Sequence, residues 1–156
     1  MKYITLNNSE LKMVCDDEFY DELSNFRWGA HKNSSNGNYY VRCQVNKIHI
    51  YAHRLITKAP AGYLVDHING DTLDNRLCNL RVCSASQNSM NKPRGANNTS
   101  GYKGVCLHKP SGRWVSSIKT PSGKRVYLGY FDTPEDASEA YKVAAKEYHR
   151  EFANVM

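Results

Sequence analysis

The chain has 156 residues, of which 40% are hydrophobic and 23% charged, with a net charge of +6. That length allows one ordinary domain or two small ones, each with a thin core. No apolar run approaches the roughly 20 residues that span a bilayer. The opening MKYITLNNSELK has no secretory apolar core, so the expectation is a cytoplasmic protein with no membrane partner.

In chain order, residues 3–6 and 11–14 read as short strands around the turn Asn7-Asn8-Ser9. DDEFYDELSNF follows, with Phe19, Leu23 and Phe26 at helical spacing and acids in its first turn, where they suit the helix dipole. Trp28 opens another stretch, and GNYYVRCQVNKIHIY predicts a β-hairpin around Asn46-Lys47. AHRLITK is a short helix or turn leading to Pro60. Tyr63-Leu64-Val65 and Leu80-Arg81-Val82 read as two strands joined by a long loop, with turns at ING and TLDN. Ser84 is placed to N-cap a helix SASQNSMN.

Pro, Gly, Asn and Ser dominate KPRGANNTSG at 92–101, a linker or turn-rich loop between two halves. GYKGVCLH, RWVSSIKT and KRVYLGYF then predict three strands, separated by Pro-Ser-Gly at 110–112 and again at 121–123. Thr133 as N-cap, Pro134 in the first turn and Asp136 in a capping-box pattern start the last helix. Ala137, Ala140, Tyr141, Ala144, Ala145, Tyr148 and Phe152 give that helix a mostly small stripe that fits closely against a sheet, with Trp114, Phe131 and Tyr141 as core aromatics. The fold class is therefore α+β, with domains expected at 1–95 and 96–156.

The five cysteines (Cys15, Cys43, Cys78, Cys83 and Cys106) form no C-x-x-C pair and read as reduced packing thiols, with no structural zinc expected. The charge is unevenly spread. Residues 1–30 carry three basic and six acidic side chains, and 132–156 again carry three and six. Between Asp74 and Asp132 there are ten Lys and Arg and no carboxylate side chain. A basic tract between acidic ends points to a polyanion partner, and double-stranded DNA is the obvious one.

The stretch VDHINGDTLDNRLCNLRVCSASQN at 65–88 has the residue types for phosphodiester hydrolysis. That reaction needs an activated water, neutralisation of the phosphate and a stabilised leaving oxygen. An imidazole suits the first need, and a hard divalent cation on carboxylate or amide oxygens suits the other two. Asp66 and His67 are adjacent near a strand end, so their side chains point to opposite faces, one available to a metal and the other to a water. Asn88 on the following helix is a candidate second oxygen ligand, and Asn79 a candidate brace for the loop after His67. His31, His49, His53 and His149 have no acid beside them and read as surface, packing or phosphate-facing residues.

D-H-x(11)-N-x(8)-N on a strand–loop–strand–helix frame resembles the HNH (ββα-metal) nucleases, especially phage and intron-associated homing endonucleases. The resemblance implies that His67 is the general base and that Asp66 and Asn88 are ligands of Mg²⁺ or Mn²⁺. It makes Asn79 the asparagine that orients the histidine loop, with Asn75 the nearest alternative. The upstream HRLI at 53–56 recurs in such proteins, and Arg54 there would hold a phosphate or the DNA strand.

Y-K-G-V, W-V-x-x-I, Y-L-G-Y-F-D-T and A-x-x-A-Y, in that order within 99–153, are similar to the AP2 DNA-binding domain. That likeness implies a three-stranded sheet inserted in the major groove, which is wide enough for one. The implied DNA contacts are Lys103, His108, Ser117, Lys119, Arg125 and Tyr127, with Arg113 touching phosphate at a turn. Cys106, Ser117 and Tyr127 depart from the plant pattern, so plant base specificity does not carry over. The combined expectation is a metal-dependent, homing-type DNA endonuclease that leaves 5′-phosphate and 3′-hydroxyl ends, a monomer by preference. The alternative is a non-catalytic DNA-binding regulator that retains the HNH fold.

Overall fold

The computed structural model describes residues 1–34, 37–92, 94–95 and 97–153. Pro93 and Ala96 of the expected linker lie outside the described residues. The chain divides into two compact units, Met1–Ser84 and Ala85–Met156. Among the described residues, no helix is long and apolar enough to cross a membrane.

The first unit opens with β1 (Lys2–Thr5) and β2 (Lys12–Cys15), an antiparallel pair, followed by α1 (Asp17–Ser24). Three antiparallel strands come next: β3 (Gly29–Lys32), β4 (Tyr39–Val45) and β5 (Ile48–Tyr51), in the order β3-β4-β5. The hairpin turns at Asn46 and Lys47, both with positive φ (49° and 66°). Two successive left-handed residues make the turn that matches strand twist, and this explains why an Asn begins it.

Helix α2 (Ala52–Thr57) follows directly, then the antiparallel pair β6 (Leu64–His67) and β7 (Leu80–Cys83). Strand β6 starts and ends later than the sequence predicts, so Asp66 and His67 lie within the ladder, opposite Arg81 and Leu80. Leu6, Met13, Leu23, Trp28, Val41, Ile56 and Leu80 are buried in one core that gathers every element of the unit. The Trp28 indole N–H donates to the Leu23 carbonyl at 2.7 Å, which satisfies the one polar atom of a buried ring.

The second unit begins with α3 (Ala85–Asn91), which carries Asn88. The division between units thus falls before this helix, whereas the sequence places the domain boundary after it. A three-stranded meander follows, β8 (Val105–His108), β9 (Arg113–Lys119) and β10 (Arg125–Phe131), covered by α4 (Pro134–His149). Thr133 caps α4 as the sequence predicts, its hydroxyl accepting from the Asp136 N–H at 3.1 Å. Ile118, Tyr141, Ala144 and Ala145 form the core between sheet and helix, while Trp114 and Phe131 are only half-buried. The small-residue stripe of α4 brings the sheet close. Gly104 (φ +75°) has no Cβ because one would lie 2.2 Å from the Tyr141 ring.

Candidate functional site

The loop from Ile68 to Cys78, between β6 and β7, is polar, and each of its turns has an identifiable lock. Asn69 and Asp71 each turn the chain by accepting from a backbone N–H two residues on, at 2.8 and 2.9 Å. Asn79 ties the loop across its middle. Its Oδ1 accepts from the Asn69 N–H at 3.0 Å, and its amide donates to the Asp74 carbonyl at 2.8 Å. Asp74 is buried and held by Arg76 and Asn69, and these bonds, Arg76 foremost, keep its carboxyl below the usual range.

The rest of the unit grips the loop from outside. Val14 in β2 pairs with Asp74 in a parallel bridge, accepting from the Asn75 N–H at 2.8 Å and donating to the Leu73 carbonyl at 3.0 Å. The Asp16 carboxylate accepts from the Leu77 N–H at 2.7 Å, and the Thr72 hydroxyl donates to the Tyr39 carbonyl at 2.6 Å.

His67 is buried at the start of this loop (4% exposed). Burial lowers its pKa, opposed by the Asn75 contact and by the carboxylates of Asp66, Asp71 and Asp74. The ring is therefore neutral at neutral pH, the form a general base requires. Its Nε2 faces the Asn75 Oδ1 at 3.5 Å, the outer limit of a hydrogen bond. An oxygen there favours the tautomer with a proton on Nε2 and the lone pair on Nδ1.

Asn75, the alternative candidate for the central asparagine, is thus the one that meets the imidazole, while Asn79 bonds the loop backbone. Sequence reasoning also left His53 out of the site. Its ring meets the His67 ring edge to face, 5.3 Å between centroids. Tyr40 stands 6.3 Å from His67 and 6.0 Å from His53. The clue available in the sequence was an unneeded histidine at the start of a short helix beside the motif.

Asp66 is also buried, at 7% exposure. Its Oδ2 accepts from both Nε and Nη2 of Arg81, at 2.9 and 2.7 Å. Two donors from one planar guanidinium fix the orientation of the carboxylate. Asn88 is half-buried on α3, in the second unit. Among the described residues no three His, Cys, Asp or Glu side chains group as a metal site. The Asp66 carboxylate is a hard oxygen donor, of the type that divalent cations accept.

Two expected DNA contacts are occupied elsewhere. The Arg54 guanidinium donates to the carbonyls of Ala59, Pro60 and Tyr63, at 2.8–3.1 Å, and so staples the turn after α2. A guanidinium one turn from a left-handed helix end (Lys58, φ 49°) finds unpaired carbonyls there and satisfies them. Lys103 donates to the carbonyls of Met90 and Lys92, at 2.7 and 2.6 Å, and burial lowers its pKa to about 8. Both side chains hold backbone carbonyls of their own unit.

The remaining expected contacts do share a surface. On β9, Ile118 and Ser116 turn toward α4, so Arg113, Ser117 and Lys119 turn away from it. Cross-strand register puts Tyr127 opposite Ser117, Arg125 opposite Lys119, and His108 opposite Arg113. A bulge between Tyr127 and Gly129 shifts the alternation, so that Tyr130 joins the same face, 51% exposed and edge-on to His108 at 5.3 Å. Tyr130 was not legible by counting alternate residues. Gly129 inside the strand was the available signal. Arg113 bonds Asp132 at 3.0 Å at the exposed edge of this surface.

Comparison with known proteins agrees with both halves. Residues 50–90 match the HNH endonuclease family and residues 100–151 match the AP2 domain. The chain is 30% identical over 135 residues to an uncharacterized HNH endonuclease, L560, of Acanthamoeba polyphaga mimivirus, covering 84% of this chain and 67% of that protein. It is 35% identical over 94 residues to Protein 3.8 of Escherichia phage T7, covering 60% and 76%. The ethylene-responsive transcription factor ERN1 of Medicago truncatula is 38% identical over 74 residues, covering 47% of this chain but only 27% of the plant protein. No solved structure matches the chain.

Proposed function

The chain belongs to the HNH endonuclease family, and on that footing we propose a homing-type enzyme that hydrolyses double-stranded DNA to 5′-phosphate and 3′-hydroxyl ends. It is a DNA nuclease with an AP2 DNA-binding domain. We assign the chemistry to residues 1–95 and the docking on DNA to residues 96–156.

His67 takes the proton from the attacking water. Asp66 and Asn88 would hold the divalent cation, Asn88 by resemblance. That cation supplies charge neutralisation on the phosphate and stabilisation of the leaving 3′ oxygen. Arg81 orients Asp66, and Asn79 keeps the loop after His67 in one shape. The exposed face with His108, Arg113, Ser117, Lys119, Arg125 and Tyr127 binds DNA through phosphate and groove contacts, and fixes which sequence the nuclease reaches.

The observation that carries this reading is the pairing of a buried, neutral imidazole with an adjacent oriented carboxylate, on a loop locked from both sides. A DNA-binding regulator would need none of it. The test is conversion of supercoiled plasmid to nicked or linear form in Mg²⁺ or Mn²⁺. Wild type is expected to cut, and His67→Ala to bind DNA equally well without cutting. Intact plasmid and phage DNA with wild-type protein in both metals would leave the regulator as the function.

A further inference from the structure

The sheet β3-β4-β5 turns Ala30, Val41 and Cys43 into the core. Its opposite face lies outside both regions matched to known domains except at Tyr51, and its residues are aligned by register. Gly29 faces Arg42, His31 faces Tyr40, and Gln44 faces His49. These residues are polar or basic where an outer sheet face needs only solubility.

A concavity of about 480 Å³ opens on this face, lined by Arg27, His31, Arg42, Gln44 and His49 among others, and no lining residue is acidic. Gly29 lets the Asn7 and Asn8 side chains close on the strand, since a Cβ there would stand 3.0 Å from the Asn7 Oδ1 and 3.2 Å from the Asn8 Oδ1. The Arg42 Nε is buried and has no hydrogen-bond partner. Among the described residues, no carboxylate pairs with Arg42 or Arg27. Burying the Arg42 Nε unpaired is costly. The side chain as a whole is half-buried and lines the concavity, so its charge is offered to an acceptor from outside the chain. Burial and then the neighbouring charges of Arg42 and His49 hold the His31 pKa below its usual value, a mark of positive potential with no anion inside the protein.

A second, smaller hollow of about 170 Å³ shares His31 and Arg42 with it and is lined also by Lys32, Tyr40 and Tyr51. Tyr40 lies on the same face as Arg42, two residues along β4, about 7 Å by strand rise. The Tyr40 ring is 6.3 Å from that of His67. Two adjoining basic hollows, one of them lined by the Tyr40 whose ring neighbours His67, match an extended polyanion.

We propose that this concavity is a phosphate-binding site for the DNA strand being cut, with Arg42 as its central cation and a backbone phosphate near the scissile one as its ligand. The inference rests on the nuclease reading, because the strand must pass His67. It makes the outer face of β3-β4-β5 a second DNA contact, separate from the AP2 sheet.

The test is duplex DNA binding by the full chain in EDTA over a series of salt concentrations, with thermal melting to verify folding. Each phosphate contact contributes about one to the slope of log affinity against log salt. Arg42→Gln is expected to lower that slope by about one and to weaken binding roughly five- to tenfold at 0.15 M salt. Arg42→Lys is expected to keep the slope. If Arg42→Gln does not fold, the double variant of the exposed residues, Arg27→Gln with His49→Gln, is expected to show the same kind of loss. Wild-type slope and affinity in whichever folded variant is measured would overturn the proposal. Binding in EDTA requires no cleavage, so a protein that binds in this way yet never cuts with Mg²⁺ refutes the nuclease reading and not the measured contact.

Discussion

The imidazoles of His53 and His67 meet edge to face with their centroids 5.3 Å apart, and both are buried. Neither ring can accept a proton without placing a charge in the low-dielectric interior beside the other. His53 bears the stronger effect, its pKa pushed down to about 3 by burial, then by His67 and Arg54.

Acid therefore destabilises the first unit through His53. The unfolded chain binds a proton at this residue below its ordinary pKa of 6.5, whereas the folded one does so only near 3. Stability contributed by the neutral ring is complete above 6.5 and is lost as pH falls toward 3, at about 1.4 kcal/mol per pH unit. Urea unfolding between pH 7 and 4 should show that slope, and His53→Phe should flatten it by about that amount. An unchanged slope in His53→Phe would mean that the ring is not protonated on unfolding.

Arg81 keeps Asp66 tolerable in the interior. Arg81→Met should destabilise the protein by about 3–5 kcal/mol, because a buried carboxylate loses the guanidinium that neutralises it. Adding Asp66→Asn should restore much of that stability without restoring cleavage. Denaturant midpoints of the two single variants and the double variant measure the coupling.

The two asparagines with proposed roles should fail differently. Asn79→Ala removes the bonds to the Asn69 N–H and the Asp74 carbonyl, so the loop after His67 loosens. Turnover is expected to fall about 10²-fold, as when a reacting group is misplaced by about an ångström. The metal concentration for half-maximal cutting should not change. Asn88→Ala should instead raise that concentration. Titration of cleavage rate against Mn²⁺ separates the two.

On the AP2 sheet, cations that face away from α4 should matter and Lys103 should not. Lys119→Gln and Arg125→Gln are each expected to reduce the salt slope of DNA binding by about one. Lys103→Gln should leave the slope intact and lower the melting temperature, because its ammonium is spent on the carbonyls of Met90 and Lys92.

Most of the fold was readable because its signals are local. Turn residues, alternation and the Thr133 cap each act over a few residues, and most elements fall within a residue or two of their expected places, whereas β8 begins four residues later than GYKGVCLH. Asp66, His67 and Asn79 stood out by residue type and spacing, and the structure buries all three at the β6–β7 loop, with Asn75 rather than Asn79 against the imidazole. What escaped depends on contacts between distant residues. Arg54 and Lys103 are basic in a basic tract, and no local pattern tells a phosphate partner from a carbonyl left over at a helix end. Tyr130 was hidden by one inserted residue in β10, and His53 by a partner 14 positions away along the chain.

The bridge between Val14 and Asp74 gives the nuclease a dependence on its own opening segment. A fragment beginning at residue 50, where the match to the HNH family begins, would retain Asp66, His67 and Asn79. It would lack the strand that clamps Leu73 and Asn75, and also the Asp16 carboxylate that holds Leu77. The smallest autonomous catalytic module is therefore larger than its signature. Swapping the signature alone into another protein transplants the reacting groups without the vice that keeps them in place.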